Sequence, residues 1–190
     1  MEPHRYPHAA KPAEGNDLGW VAEIPPLPGS YALLLRLDGA RRVRVGIAMG
    51  EIDFDRGDYF YLGSARGPGG LRARLGRHLL GGGRRRWHVD SLRAVSAVRG
   101  SAYALGEDRL ECRWSRALAA LPGAGYAAEG FGASDCRTCP AHLVRLASGS
   151  LAEAVRSLSA ECSTELVWTD LGLRGIKRRP GVPGLPGEEI

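Results

Sequence analysis

The chain has 190 residues, 44% of them hydrophobic, and a formal charge of +5 from 26 basic and 21 acidic side chains. That suffices for one domain with a core, and no apolar run approaches the ~18 residues that a membrane helix needs. The polar start MEPHRYPHAAKPAEGN is unlike a signal peptide, so the expected address is cytoplasmic and the four cysteines are expected as thiols rather than structural disulfides.

Residues 1–19 lack periodicity and read as a flexible N-terminal arm, after which a domain is expected over 20–150. Pro25-Pro26-Leu27-Pro28 makes a stiff lead-in. YALLLRL and RRVRVGIA flank Asp38-Gly39, a hairpin signal that predicts strands over 30–37 and 41–48, with Val43, Val45 and Ile47 on one buried face. YFYLGSA predicts a third strand over 59–65. The fold class expected is α/β (α+β), a compact domain around a central three-stranded antiparallel sheet flanked by helices.

GPGG at 67–70 breaks the chain, and Leu71, Leu75, His78 and Leu79 then recur at helical spacing, predicting a helix over about 70–80. WHVDSLRA reads as a short helical turn and AVSAVRGSAYAL as a strand. RLECRWSRALAAL predicts a helix within 107–121, with Leu110, Trp114 and Leu118 on one side. Residues 151–190 read as an extension, helical from about Leu151 to Cys162 and disordered in the terminal KRRPGVPGLPGEEI.

Nine arginines fall between Arg66 and Arg99 against one acid, Asp90. Such a field attracts phosphate backbones, which makes Arg66, Arg72, Arg77, Arg84, Arg85, Arg86 and His88 candidate nucleic-acid contacts; the bland reading is a solvated arginine-rich face. Nucleic acid, DNA ahead of RNA, is the partner this implies, with no membrane and no obligate protein partner. Separately, Cys136-x-x-Cys139-x-x-His142 has the spacing of a metal knuckle, and Cys112 is a candidate fourth ligand for a structural Zn²⁺. Buried unligated or redox-sensitive thiols are the alternative.

Gly29-Ser30-Tyr31 opens the first strand and Tyr61-Leu62-Gly63 closes the third. Arg74 and His78 follow at i and i+4 on one helix, where two side chains reach the same phosphate, and Glu111 heads the later helix. This order resembles the GIY-YIG nuclease superfamily. Within it, GSYALLLRL, YLGSARGPGGLRARL, RWHVD, LECRW and GFGASDC…CPAHL are most similar to the small uncharacterised-domain (Uri-superfamily endonuclease, DUF123-like) group, over roughly Trp20 to Ala147. The two tyrosines stand further apart than is usual there, and the superfamily's late asparagine has no clear counterpart.

The resemblance implies a metal-dependent endonuclease that hydrolyses phosphodiester bonds. Tyr31 would take a proton from water, Tyr61 would position water or phosphate, and Arg74 would clamp the phosphate. Glu111 would hold Mg²⁺ or Mn²⁺, and His78 or His88 would assist proton transfer or hydrogen-bond the phosphate, with a capping or core role as the alternative for either. A tyrosine base needs cations nearby to lower its pKa, and the arginines are a candidate cause. A non-catalytic nucleic-acid-binding module with a degenerate site is the alternative.

Overall fold

The computed structural model of the protein describes residues 19–81, 86–134 and 136–171. Most of the expected N-terminal arm, and the tail beyond residue 171, lie outside the described residues.

The run GSYALLLRL forms β1 (Gly29–Leu37), whose residues are buried on both faces apart from a half-buried Arg36. Near-continuous apolarity of this kind marks a central strand. β1 pairs antiparallel with two strands, β4 (Gly57–Ala65) and β5 (Ala97–Leu105), placing Tyr31 opposite Gly63 on one side and Tyr103 on the other. The sheet extends to six antiparallel strands through β7 (Leu143–Arg145) and β6 (Gly125–Tyr126) beyond β4, and β8 (Val167–Asp170) beyond β5.

The expected three-stranded sheet is therefore corrected: its centre is β4-β1-β5, and residues 41–48 do not join it. They form β2 (Arg41–Arg44) and the short helix α1 (Gly46–Met49), and β2 pairs with β3 (Glu51–Phe54) in a separate ribbon. Val43 and Val45 are buried as expected, but Ile47 is 96% exposed. Gly46 and Gly50, both at φ 66°, turn the chain at each end of α1 and end the alternation. The extra length between Tyr31 and Tyr61 is this ribbon.

Side chains alternate across the sheet, so β1 sends Tyr31, Leu33, Leu35 and Leu37 into one core and Ala32 and Leu34 into the other. The first core is closed by α2 (Gly70–Leu80) through Leu71, Leu75 and Leu79, and by α3 (His88–Arg93) through Val89 and Leu92. The second is closed by α4 (Leu110–Ala119) through Leu110, Trp114 and Leu118, and by α5 (Leu151–Ala160) through Ala154 and Leu158. Residues 151–171, expected as an extension, thus pack into the domain: Trp114 Nε1 donates to Leu158 O at 3.0 Å and β8 pairs with β5. Among the described residues no helix is long and apolar enough to cross a membrane.

Candidate functional site

The proline lead-in anchors α2. Gly70, at φ 50°, lies so close to Leu27 that a Cβ would stand 2.2 Å from its carbonyl oxygen. Leu71 N–H and Arg72 N–H then donate to Leu27 O and Pro25 O, satisfying two of the helix's free N-terminal donors. Locked in this way, α2 aims Arg74 and His78 at the beginning of β1.

There the Tyr31 phenol oxygen lies 3.1 Å from His78 Nε2, with the Arg74 guanidinium close enough to act on the phenol electrostatically. The ring passes over Gly63, where a Cβ would stand 2.6 Å from the Tyr31 oxygen, so this glycine makes room for the phenol. Tyr61 shares the face, its ring 6.4 Å from that of Tyr31 and edge-on to His78 at 6.1 Å. Tyr31, Tyr61, Arg74 and His78 are thus brought together. The tyrosines and the histidine are enclosed, Tyr31 being 0%, His78 1% and Tyr61 4% exposed, while Arg74 is half-buried.

Trp87 covers His78 edge-on at 5.5 Å, and the guanidinium carbons of Arg74 and Arg77 lie 4.6 and 4.5 Å from its ring centre. Arg74 Nε is buried without a hydrogen-bond partner among the described residues.

Behind His78 stands Asp90, with Oδ1 3.6 Å from Nδ1. Asp90 Oδ2 accepts the Arg86 and Trp87 N–H groups at 2.8 and 3.1 Å, and Arg77 pairs with it at 3.1 Å. Burial pushes the Asp90 carboxyl up, but these hydrogen bonds outweigh it and hold it below its usual range. Burial lowers the His78 pKa to about 4, against a smaller opposite pull from Asp90, so the ring is neutral near pH 7. For Tyr31 the expectation is corrected. Burial outweighs the Arg74 cation and raises the phenol to about 12, with Asp90 and Glu111 adding to the rise.

Glu111 is buried in the first turn of α4, within electrostatic reach of Tyr31. No side chain of α4 caps its start; Ser30 of β1 does so, accepting the Leu110 N–H at 3.1 Å. The one proton of Ser30 Oγ faces two acceptors, the Asp108 carbonyl at 3.1 Å and Glu111 Oε2 at 3.4 Å, so the residue beside Tyr31 makes only a long contact with the carboxylate. This long contact leaves most of the carboxylate's acceptor capacity for another ligand.

The arginine field is less free than its charge count suggests. Arg66 binds Glu107 at 3.0 Å and the Gly106 and Asp108 carbonyls, and Arg77 is held by Asp90. Arg72 donates through Nε to Ile24 O. Arg86 is exposed, whereas His88 Nδ1 accepts the Gly132 N–H at 3.2 Å, a structural contact. Arg84 and Arg85 lie outside the described residues. Sequence reasoning missed Asp90, Trp87 and Ser30 as parts of the site. RWHVD contained two of them, but Asp90 counted there only as a lone acid among cations.

On the loop side, Cys112, Cys136, Cys139 and His142 bring four ligand atoms within 4.8 Å of one another, a cluster able to hold a metal such as zinc. The thiols are 3.1–3.4 Å apart, and His142 Nε2 lies 2.9 Å from Cys139 Sγ and 3.5 Å from Cys112 Sγ.

Fold and site together define a mixed α/β protein with an antiparallel sheet, a buried Tyr-His-Arg cluster and a Cys₃His cluster suited to a metal. The chain belongs to the family described as a domain of unknown function, DUF123, whose profile matches residues 30–164. No curated protein and no solved structure matches it.

Proposed function

We propose that the protein is a metal-dependent endonuclease on the GIY-YIG plan that hydrolyses phosphodiester bonds in nucleic acid, DNA ahead of RNA. The observation that carries this reading is the buried contact of the Tyr31 phenol with His78, while the Arg74 cation one helical turn away on α2 acts on the same phenol.

With a pKa about 12, Tyr31 is protonated at neutral pH, so it serves as a relay rather than a standing base. The phenol proton moves to His78 Nε2 only as Tyr31 takes a proton from the attacking water, while the water oxygen bonds to phosphorus and the ester oxygen leaves, so no free phenolate forms. Asp90 on the Nδ1 side stabilises the charge that develops on the ring. Arg74 would clamp the phosphate with the fork of its guanidinium, and Tyr61 lines the same pocket. Glu111 would hold Mg²⁺ or Mn²⁺, and a hard ion on one carboxylate supplies charge neutralisation at the leaving oxygen. Among the described residues, Arg72 and Arg86 are exposed cations that would contact the flanking backbone.

The complete burial of Tyr31 favours a second reading, a nucleic-acid-binding module whose site no longer turns over. Incubation with branched, single-stranded and duplex DNA and RNA in Mg²⁺ separates the two. Cleavage of any substrate supports the enzyme, and salt-sensitive binding without cleavage supports the module.

A further inference from the structure

We propose that Cys112, Cys136, Cys139 and His142 bind one Zn²⁺ as a closed structural site, and that this ion is the pin that holds Glu111 and the Tyr61 wall in register. Zinc binding stands independently of the proposed activity; the second half deepens that reading.

Zinc takes four ligands tetrahedrally, with Zn–S ~2.3 Å and Zn–N ~2.0 Å, which sets S···S near ~3.8 Å and S···N near ~3.5 Å. The three thiols, at 3.1–3.4 Å from each other, need only small outward shifts to reach this. No pair is singled out as it would be for a disulfide, whose S–S bond is ~2.0 Å.

The surroundings match a metal centre as well. His142 Nδ1 faces the Gly132 carbonyl at 3.0 Å, which fixes the tautomer with Nδ1–H donating and Nε2 turned to the sulfurs. The Thr138 N–H points at Cys136 Sγ at 3.4 Å, the N–H···S contact that stabilises a thiolate in a Cys-x-x-Cys turn. Three sulfurs and one nitrogen suit zinc and not Mg²⁺, and a full ligand set leaves no position for substrate.

The ligands come from α4 and from the loop that leads into β7, so the ion joins them. Cys112 follows Glu111 on α4. The His142 carbonyl accepts the Leu62 N–H at 2.9 Å, beside Tyr61. Gly132, bonded to His142 Nδ1, lies against Tyr61, where a Cβ would stand 2.7 Å from the ring, and its N–H donates to His88. Zinc would thereby fix one residue next to the proposed metal carboxylate and one wall of the tyrosine pocket.

The test uses the full chain purified without added metal. Elemental analysis should give about one zinc per chain, and Co²⁺ exchanged into the site should show thiolate charge-transfer bands and the intense visible bands of tetrahedral cobalt. Cys139→Ser should lose both signals, while Cys162→Ser, outside the cluster, should keep them. Should Cys139→Ser fail to fold, chelation of the wild-type protein gives the same comparison. Hydrogen exchange of the Leu62 and Gly132 amides should accelerate at least about tenfold on zinc removal, with the β5–β8 pairing unchanged. A chain without zinc and without cobalt bands, or one whose thiols form a disulfide, overturns the site. Unchanged exchange, or equal loss over the whole sheet, overturns the pin. None of these readouts uses nucleic acid, so they fail or succeed separately from the cleavage assay.

Discussion

The Tyr31 phenol meets His78 Nε2 at 3.1 Å inside the first core, where neither side chain has appreciable contact with solvent. A neutral histidine held there makes folding sensitive to mild acid. Its folded pKa of about 4 lies below the ordinary 6.5, so the unfolded chain binds the proton first. Stability is fully present above pH 6.5 and is lost as pH falls toward 4, by up to about 3 kcal/mol. Urea denaturation at pH 7 and pH 4.5 should show this loss, and His78→Gln should flatten it over the same window. A wild-type midpoint that stays constant across that interval would contradict the burial of a neutral His78. At the other extreme, Tyr31 makes stability fall as pH rises from 10 toward 12.

Gly63 is the second test of the tyrosine pocket. A methyl group there would meet the Tyr31 ring at 2.6 Å, and β1 and β4 are too tightly paired for the backbone to yield. Gly63→Ala should cost about 1–3 kcal/mol and displace the phenol from His78. Thermal denaturation reads the first effect, and a shift in the alkaline titration of Tyr31 reads the second. A variant as stable as wild type would mean that the ring lies elsewhere.

Arg74 should separate chemistry from stability. Its contacts with Trp87 and Tyr31 suggest about 1 kcal/mol of stabilisation, a few degrees in Tm. Arg74→Ala should lower cleavage by orders of magnitude while Tm drops by only that amount. Arg74→Lys should restore little, because an ammonium lacks the fork that holds two phosphate oxygens. Parallel losses of Tm and cleavage would make Arg74 a structural residue.

Asp90 gathers Arg77, the start of α3 and His78 around one carboxylate. Asp90→Asn should destabilise by about 1–3 kcal/mol through loss of the charged hydrogen bonds. It should also lower the His78 pKa further, since the carboxylate raises it against burial. NMR titration of the imidazole checks this directly. An unchanged His78 titration would remove Asp90 from the relay.

Local pattern made much of the fold legible. The strands at β1 and β4 and the helices α2, α4 and α5 follow from apolar runs and helical spacing within single segments. Pairing was not legible, because β1 joins β5, more than 60 residues away, through packing that no local signal records. The Val43, Val45, Ile47 alternation misled for the opposite reason: β2 stops at Arg44, and Gly46 at positive φ turns the chain before Ile47. At the candidate site, the i, i+4 spacing put Arg74 and His78 on one face of α2, and both lie against Trp87 there. The cap that Ser30 gives α4 joins residues some 80 positions apart and could only be seen in three dimensions. Cys112 was a candidate fourth ligand only through its place next to Glu111, and its position beside Cys136, Cys139 and His142 gives that reading its geometry.

The central claim is that this site cleaves phosphodiesters through a metal held by Glu111. Nicking of supercoiled plasmid by wild type and Glu111→Ala, followed across a Mg²⁺ titration at constant ionic strength, tests it most directly. The account predicts nicking by wild type that rises and saturates with Mg²⁺, and at least a ~10²-fold loss in a folded Glu111→Ala. Wild-type protein that binds plasmid but leaves it intact in both Mg²⁺ and Mn²⁺, or a Glu111→Ala that nicks as fast as wild type, would contradict it.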